Sequence, residues 1–179
     1  MRRTSLAALA MLFGFWTGST ASAALDPTRI ELVDQRGSNF SLYALRGQPT
    51  IVTFVATRCG DTCPISDALF ERLAQTHVGA RLVTITLDPT YDTPFVMAGY
   101  ARMLGADVRS WRVASGSPAR INALLDSLGV ERPRTASIHA PQAHGTMIYC
   151  LDRAGRLAKT VLLSDHAEAD VRAWLRAAS

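Results

Sequence analysis

Two stretches of the chain are almost continuously apolar or β-branched, and both predict strands that are buried on two faces. They cover residues 50–56 (TIVTFVA) and 81–87 (RLVTITL). A strand with helices on both sides shows such a run instead of an alternation, because neither of its faces meets water. Shorter β-prone segments predict further strands, at residues 30–33, 40–42, 111–114, 146–151 and 157–163.

Apolar residues that recur every three or four positions predict four helices between and after these strands. The first opens at Pro64 and reaches about Thr76, and the second opens at Thr93 and Pro94. The expected buried positions are Ile65, Leu69, Phe70 and Leu73 in the first helix, Val96, Tyr100, Met103 and Leu104 in the second, Ile121, Leu124, Leu125 and Leu128 in the third, and Val171, Trp174 and Leu175 in the last.

Helix ends carry signals of their own. Ser117 followed by Pro118 is typical of a helix start, and Gly129 is typical of a helix end. Asp165 with Glu168 resembles a capping box before the last helix. Strands that alternate with helices imply a layered α/β domain.

The composition is consistent with one domain and gives no sign of a nucleic-acid partner. A hydrophobic fraction of 48% in 179 residues is sufficient for a single core. The formal net charge is +4, and Arg2 and Arg3 supply two of these charges. No stripe of Lys and Arg with interleaved aromatic residues is present, which excludes the usual electrostatic footprint of nucleic-acid binding.

The N-terminal residues have the pattern of a secretory signal. Two arginines open it, an apolar run covers residues 6–16, and Ala21-Ser22-Ala23 forms an A-x-A cleavage pattern. The run is shorter than the roughly 20 residues that a membrane span requires. We therefore expect a signal peptide at 1–23 and an exported domain at 24–179, in the periplasm or at the outer face of the cytoplasmic membrane. An uncleaved anchor is the alternative, and it exports the domain as well.

Export changes the interpretation of the cysteines, because nearby thiols tend to pair in an oxidising compartment. Cys59 and Cys63 follow the first buried strand directly and precede Pro64, in the segment CGDTCP. A disulfide between them would close a very short loop and would stabilise the fold little. We therefore interpret the pair as chemically active.

The position of this pair predicts the fold and lowers the expected thiol pKa. A cysteine pair between the first buried strand and its helix is the thioredoxin arrangement. The predicted fold is thus thioredoxin-like α/β, with a central mixed sheet flanked by helices and an N-terminal β-hairpin extension. A helix N-terminus favours the thiolate form, and Arg58 adds a positive charge.

Thiolate is both a nucleophile and a metal ligand, so two chemistries remain open. In thiol–disulfide exchange, Cys59 would attack a partner disulfide and Cys63 would resolve the mixed disulfide. In metal binding, the two thiolates would hold Cu(I), and an imidazole would complete a Cys₂His site. The C-x-x-x-C spacing is one residue wider than that of thioredoxin and favours the metal. A peroxidatic cysteine is disfavoured, because the P-x-x-x-T-x-x-C context is absent.

The third ligand is expected among four histidines. His77 ends a surface helix and His166 begins another, so both are expected to be solvated. His139 and His144 lie in the loop before a late strand, and in thioredoxin-like folds this loop faces the cysteines. We favour His144. Cys150, in the middle of a predicted strand, is expected to be a small buried apolar residue.

Four segments in order resemble the Sco/SenC family, exported copper proteins of the thioredoxin superfamily. They are residues 34–47 (DQRGSNFSLYALRG), 59–64 (CGDTCP), 87–94 (LDPTYDTP) and 144–155 (HGTMIYCLDRAG). The resemblance extends over about residues 32–174. The combination of C-x-x-x-C-P with the downstream histidine is specific, whereas no single segment is.

The resemblance implies copper, Cu(I) or Cu(II), bound by Cys59, Cys63 and His144. It implies a metallochaperone that helps to assemble the dinuclear copper site of cytochrome c oxidase subunit II, rather than an enzyme in the usual sense. The implied partners are that subunit or another copper or thiol protein, together with a copper donor, with any membrane association made through the partner. A thiol–disulfide oxidoreductase that uses Cys59 and Cys63 to reduce a partner disulfide is the alternative. The family usually has Asp directly before the histidine, where this chain has Ala143.

Two acidic residues of the third segment have a structural interpretation. Asp92 or Thr93 is expected to cap the helix that Pro94 opens. Asp88 ends a central strand, forms a turn with Pro89, and is expected to lie near the cysteines.

Overall fold

The computed structural model describes residues 26–58, 63–130 and 147–178, and only the backbone of Cys63. The strands are β1 (Leu32–Asp34), β2 (Asn39–Phe40), β3 (Thr50–Val55), β4 (Arg81–Thr86), β5 (Trp111–Ser115), β6 (Met147–Leu151) and β7 (Leu157–Leu162). The α-helices are α1 (Cys63–Gln75), α2 (Pro94–Met103), α3 (Pro118–Ser127) and α4 (Ala167–Ala177), and two 3₁₀ helices cover Pro27–Arg29 and Leu42–Leu45.

The strands of the described residues form one mixed sheet in the order β2-β1-β5-β4-β3-β6-β7. The three central strands β3, β4 and β5 are parallel. The hairpin of β1 and β2 adds to one side of them and the hairpin of β6 and β7 to the other, both antiparallel. The predicted thioredoxin-like α/β fold with its N-terminal hairpin is confirmed.

The strand that leads to the cysteines is the most protected part of the sheet. All six residues of β3 are buried. Ile51 and Val55 pack in the core that α1, α2 and α4 cover, while Val52 and Phe54 pack in the core on the α3 side. The strand is apolar on both faces because helices cover both.

The buried faces of α1 and α2 differ in part from the prediction. Met97 is 1% exposed and joins Tyr100 and the neighbouring Ala101 in the core, whereas Met103 is 70% exposed. Tyr100 belongs to both possible apolar faces of α2, so the spacing alone could not choose between them. In the first turn of α1, Ile65 is 57% exposed, unlike the buried residues further along the helix.

The capping box expected at Asp165 and Glu168 is wrong. The helix α4 has His166 at its N-cap, with no side-chain capping bond. The Glu168 carboxylate instead accepts hydrogen bonds from Arg72 of α1, at 2.7 Å, and from Arg172 of its own helix, at 3.0 Å. Two guanidinium groups therefore hold the side chain that would have completed the box.

None of the helices in the described ranges has the length and apolar character that a membrane crossing requires.

Candidate metal centre

Cys63 is the first residue of α1, one position before Pro64, where the sequence predicted the helix to open. Its backbone therefore lies at a helix N-terminus, where amide groups and the helix dipole favour an anion. Cys59, His144 and the side chain of Cys63 lie outside the described residues, as does His139. The elements that lead into these positions, β3, α1 and β6, lie within the described residues.

Both predicted ligand segments connect to the same end of the sheet. The parallel register pairs Val55 of β3 with Thr86 of β4, so these strands end side by side. The antiparallel register pairs Val52 with Tyr149 of β6, and its continuation sets the start of β6 beside the end of β3. The chain therefore leaves β3 toward Cys59, and enters β6 from His144, at one end of the sheet. We call this end the carboxyl edge.

Arg58, directly before Cys59, is held by two neighbours in the loop after β4. Its guanidinium lies 2.6 Å from the Asp88 carboxylate and 4.1 Å from the centre of the Tyr91 ring. Asp88 therefore contacts the residue directly before Cys59, and its proximity to the cysteines themselves stays a prediction. Its negative charge offsets the positive charge that Arg58 was expected to contribute to the thiols.

Asp92 does not cap α2. Thr93 takes that role, because its hydroxyl accepts a bond from the Val96 amide. The Asp92 carboxylate is buried and accepts hydrogen bonds from the Thr57 amide at 3.1 Å, from the Thr57 hydroxyl, and from the Thr86 hydroxyl at 2.8 Å. It thereby joins the ends of β3 and β4 just before Cys59. Nothing in the sequence pattern distinguishes this role from a helix cap, because both place Asp before Thr-Pro.

A second carboxylate lies one helical turn after Cys63. The Tyr100 hydroxyl of α2 donates a 2.5 Å hydrogen bond to Asp67 of α1. Burial raises the pKa of Asp67 from 3.8 to about 6, with a further increase from the Glu71 charge, and the bond from Tyr100 opposes the shift. No sequence pattern indicates this pair, since each residue by itself resembles an ordinary helix position.

The pKa of Asp67 predicts a pH-dependent stability. The folded state keeps this proton to higher pH than the unfolded state does, so the free energy of unfolding falls as the pH rises from about 4 to 6. A shift of this size corresponds to about 3 kcal/mol, which solvent screening of a partly exposed carboxylate reduces to about 1–2 kcal/mol. Asp67→Asn keeps an acceptor for Tyr100 and carries no charge. It should be more stable than the wild type by that amount at pH 7.5, and equal to it near pH 4, in urea unfolding.

The exposed Asp165→Asn variant is the control, and it should show no such difference. An Asp67→Asn effect of the same size at both pH values would contradict the prediction.

Cys150 is fully buried in β6 and is the free cysteine of the described residues. Burial raises the pKa of its thiol to about 12, against a small opposing effect of Lys159. A thiol in this state is neither a nucleophile nor a ligand at neutral pH, which confirms the expectation of a small apolar core residue.

His77 and His166 are exposed, as expected. No cluster of three or more potential metal ligands occurs within the parts of the chain that the structure describes.

The family model SCO1/SenC matches residues 20–177, nearly all of the described chain. This chain belongs to the SCO1/SenC family. A SCO2-like protein of Rickettsia prowazekii is 31% identical over 137 residues, which cover 72% of this chain and 65% of that protein. The SCO1/SenC chain thus covers just under two thirds of that relative's length.

Solved structures of the family share the fold. ScoI of Bradyrhizobium japonicum, determined with copper bound, has a TM-score of 0.65 and 27% identity, covering 84% of this SCO1/SenC chain and 97% of ScoI. A SCO1/SenC family lipoprotein of Bacillus anthracis has a TM-score of 0.70 and 20% identity, covering 83% and 91% of the two chains.

Proposed function

We propose that this SCO1/SenC protein is an exported copper metallochaperone that binds copper through Cys59, Cys63 and His144. The observation that supports the proposal best is the convergence at the carboxyl edge. His144 precedes Met147 of β6 by three residues, a distance that an extended chain covers within about 10 Å. The shared end of β3 and β6, to which both predicted ligand segments connect, supports a site made of these three residues.

The charges around the cysteine segment favour a bound cation over a free thiolate. Arg58 and Asp88 offset each other at 2.6 Å, and the buried Asp92 adds a negative charge behind the segment. Negative charge disfavours two free thiolates more than the same thiolates with Cu(I) bound, because the metal cation neutralises part of their charge. Two thiolates with one imidazole form a soft donor set that suits Cu(I).

Copper binding by Cys59 and Cys63 is coupled to the loss of their thiol protons, and copper release to the replacement of ligands. Both thiols lose their protons when the metal binds, so binding releases protons and strengthens with pH. A disulfide between Cys59 and Cys63 has no thiolate to offer, and the pair must be reduced before copper can bind. Delivery would replace Cys59, Cys63 and His144 one at a time by ligands of the recipient.

The recipient we propose is the dinuclear copper site of cytochrome c oxidase subunit II. Its thiolates are the class of ligand that can take Cu(I) from a Cys₂His site. The signal pattern at 1–23 lies outside the described residues. It would bring the domain at 24–179 to the compartment that the copper site of such a recipient faces.

Titration of the reduced mature domain with Cu(I), against a competing chelator, tests the proposal. We expect one copper per chain, no binding to the disulfide form, and an affinity that is about 10²-fold lower in His144→Ala, the loss expected for one ligand of three. The exposed His166→Ala is the control and should bind like the wild type. Absence of stoichiometric copper in the reduced wild type would refute the proposed function. Wild-type affinity in His144→Ala would remove His144 from the site and favour thiol–disulfide exchange.

A further inference from the structure

The buried carboxylate of Asp92 contacts Thr57, two residues before Cys59, and is not one of the proposed copper ligands. It is 0% exposed and sits in the loop between β4 and α2. Burial of a carboxylate is costly unless its oxygens are hydrogen-bonded. Since Thr93 caps α2, the helix start does not account for a carboxylate at this position.

The contacts of Asp92 join three strand ends at the carboxyl edge. Its side chain accepts from both the amide and the hydroxyl of Thr57, which follows β3, and from the hydroxyl of Thr86, the last residue of β4. Its backbone carbonyl accepts a 2.6 Å bond from the hydroxyl of Ser115, the last residue of β5. The amide and hydroxyl of Thr57 and the hydroxyl of Thr86 therefore hold the Asp92 carboxylate in place. Thr57 lies two residues before Cys59, so this contact also holds the backbone that leads to the cysteine.

The other side of the cysteine segment is tied to the same part of the chain. The Tyr100 hydroxyl of α2 holds Asp67 of α1, one turn after Cys63. Arg58 is held by Asp88, at the start of the loop that contains Asp92. Residues 88–100 thus hold the chain on both sides of the two cysteines.

We propose that Asp92 is the positioning residue of the cysteine pair: through Thr57 it fixes the exit of β3, and so the separation of Cys59 from Cys63. The copper-binding test of this inference rests on the proposed copper function. A second test, the equilibrium of the cysteine pair with glutathione, needs no metal. Outer contacts that orient metal ligands typically contribute 10- to 100-fold to metal affinity.

Two substitutions separate the geometry from the charge. Asp92→Ala removes the acceptors of Thr57 and Thr86, and we expect its Cu(I) affinity to fall about 10- to 100-fold. Asp92→Asn keeps an oxygen for the Thr57 amide, and its amide group can donate to a threonine hydroxyl. We therefore expect Asp92→Asn to stay within about threefold of the wild type, since the geometry persists while the charge is gone.

Asp34 offers a matched control. It is 1% exposed and accepts bonds from two backbone amides and from Arg112, at 2.8 to 3.0 Å, in the β1–β2 turn. Asp34→Ala removes an equally buried carboxylate that bonds to residues 36, 38 and 112 and to neither Thr57 nor Thr86. It should lower the free energy of unfolding while the Cu(I) affinity stays at the wild-type value.

The metal-free readout is the equilibrium of the Cys59–Cys63 pair with glutathione. A loosened segment lowers the effective concentration of one thiol at the other, so the disulfide of Asp92→Ala should be less stable by about tenfold, or roughly 30 mV. If the wild type bound no copper, the proposed function would fail, and this equilibrium would still test the positioning role.

Thr57→Val keeps the experiment decisive if Asp92→Ala does not fold. It removes one hydroxyl donor and leaves the Thr57 amide, and we expect a smaller shift in the same direction in both readouts. Wild-type Cu(I) affinity and glutathione equilibrium in a folded Asp92→Ala or in Thr57→Val would overturn the inference. If Asp34→Ala lost as much Cu(I) affinity and disulfide stability as Asp92→Ala, Asp92 would contribute only to the general stability of the fold. That result would also overturn the inference.

Discussion

Replacing Cys59 with serine is expected to lower the Cu(I) affinity by about 10²- to 10³-fold. Structural Zn²⁺ sites with four ligands have apparent binding free energies of about 10–16 kcal/mol, or roughly 2.5–4 kcal/mol for each ligand, and each 1.4 kcal/mol is tenfold. A serine hydroxyl stays protonated and is a hard donor, so it does not replace a thiolate on Cu(I). Cys63→Ser should lower the Cu(I) affinity by a similar factor. The helix N-terminus at this position remains in the variant, but it does not replace the lost thiolate.

Cys150→Ala is the matched control, since it removes a thiol that is fully buried in β6. We expect it to retain one Cu(I) per chain with wild-type affinity, and to lose some stability because a small core volume is emptied. The readout is competition with a Cu(I) chelator, with all three variants reduced beforehand. Tight copper binding by Cys59→Ser would contradict the assignment of this residue as a ligand.

Replacing Trp111 with alanine is expected to destabilise the domain by about 3–5 kcal/mol. The side chain is 1% exposed, its ring centre lies 5.8 Å from that of Phe70 in α1, and its indole N–H donates a 3.0 Å bond to the Thr84 hydroxyl. The loss is a large share of the 5–15 kcal/mol that typically holds a domain together. Because Phe70 belongs to the helix that begins at Cys63, we expect the cavity to loosen the support of the site as well.

Urea unfolding of the reduced protein measures this loss. Trp111→Phe keeps an aromatic ring against Phe70 and removes the donor to Thr84, so it should cost about 1–3 kcal/mol less than the alanine variant. Equal losses in the two variants would show that packing against Phe70 contributes little.

The strands and helices followed largely from local pattern. The six residues of β3 are apolar or β-branched without interruption, and a run of this kind has few alternatives to a central strand. Ser117 accepts a bond from the Arg120 amide at the start of α3, and Gly129 follows that helix with a φ of +66°. Such short-range signals need no knowledge of the fold.

The interactions that depend on tertiary contacts were not predictable from pattern. Glu168 binds Arg72, which is 96 positions away in the chain. A capping-box rule considers only neighbouring residues, so it cannot predict that a distant arginine takes the Glu168 carboxylate instead. Asp92 has the sequence context of a helix cap, and only the convergence of β3, β4 and β5 turns it into a buried acceptor for Thr57 and Thr86. The site residues Cys59, Cys63 and His144 stay a prediction from motif and resemblance, to which the structure adds the shared end of the sheet.

The burial of Cys150 restricts which disulfides the chain can form under oxidising conditions. Three thiols in an unfolded chain allow three pairings, and two of these would involve Cys150 and crosslink β6 to the cysteine segment. Once β6 has paired with β3, through Ile51 opposite Cys150, oxidants meet a thiol that is fully covered and whose pKa is about 12. A chain that folds before it is oxidised can therefore form one intramolecular disulfide, between Cys59 and Cys63. Mispairing with Cys150 then depends on whether oxidation is faster than folding.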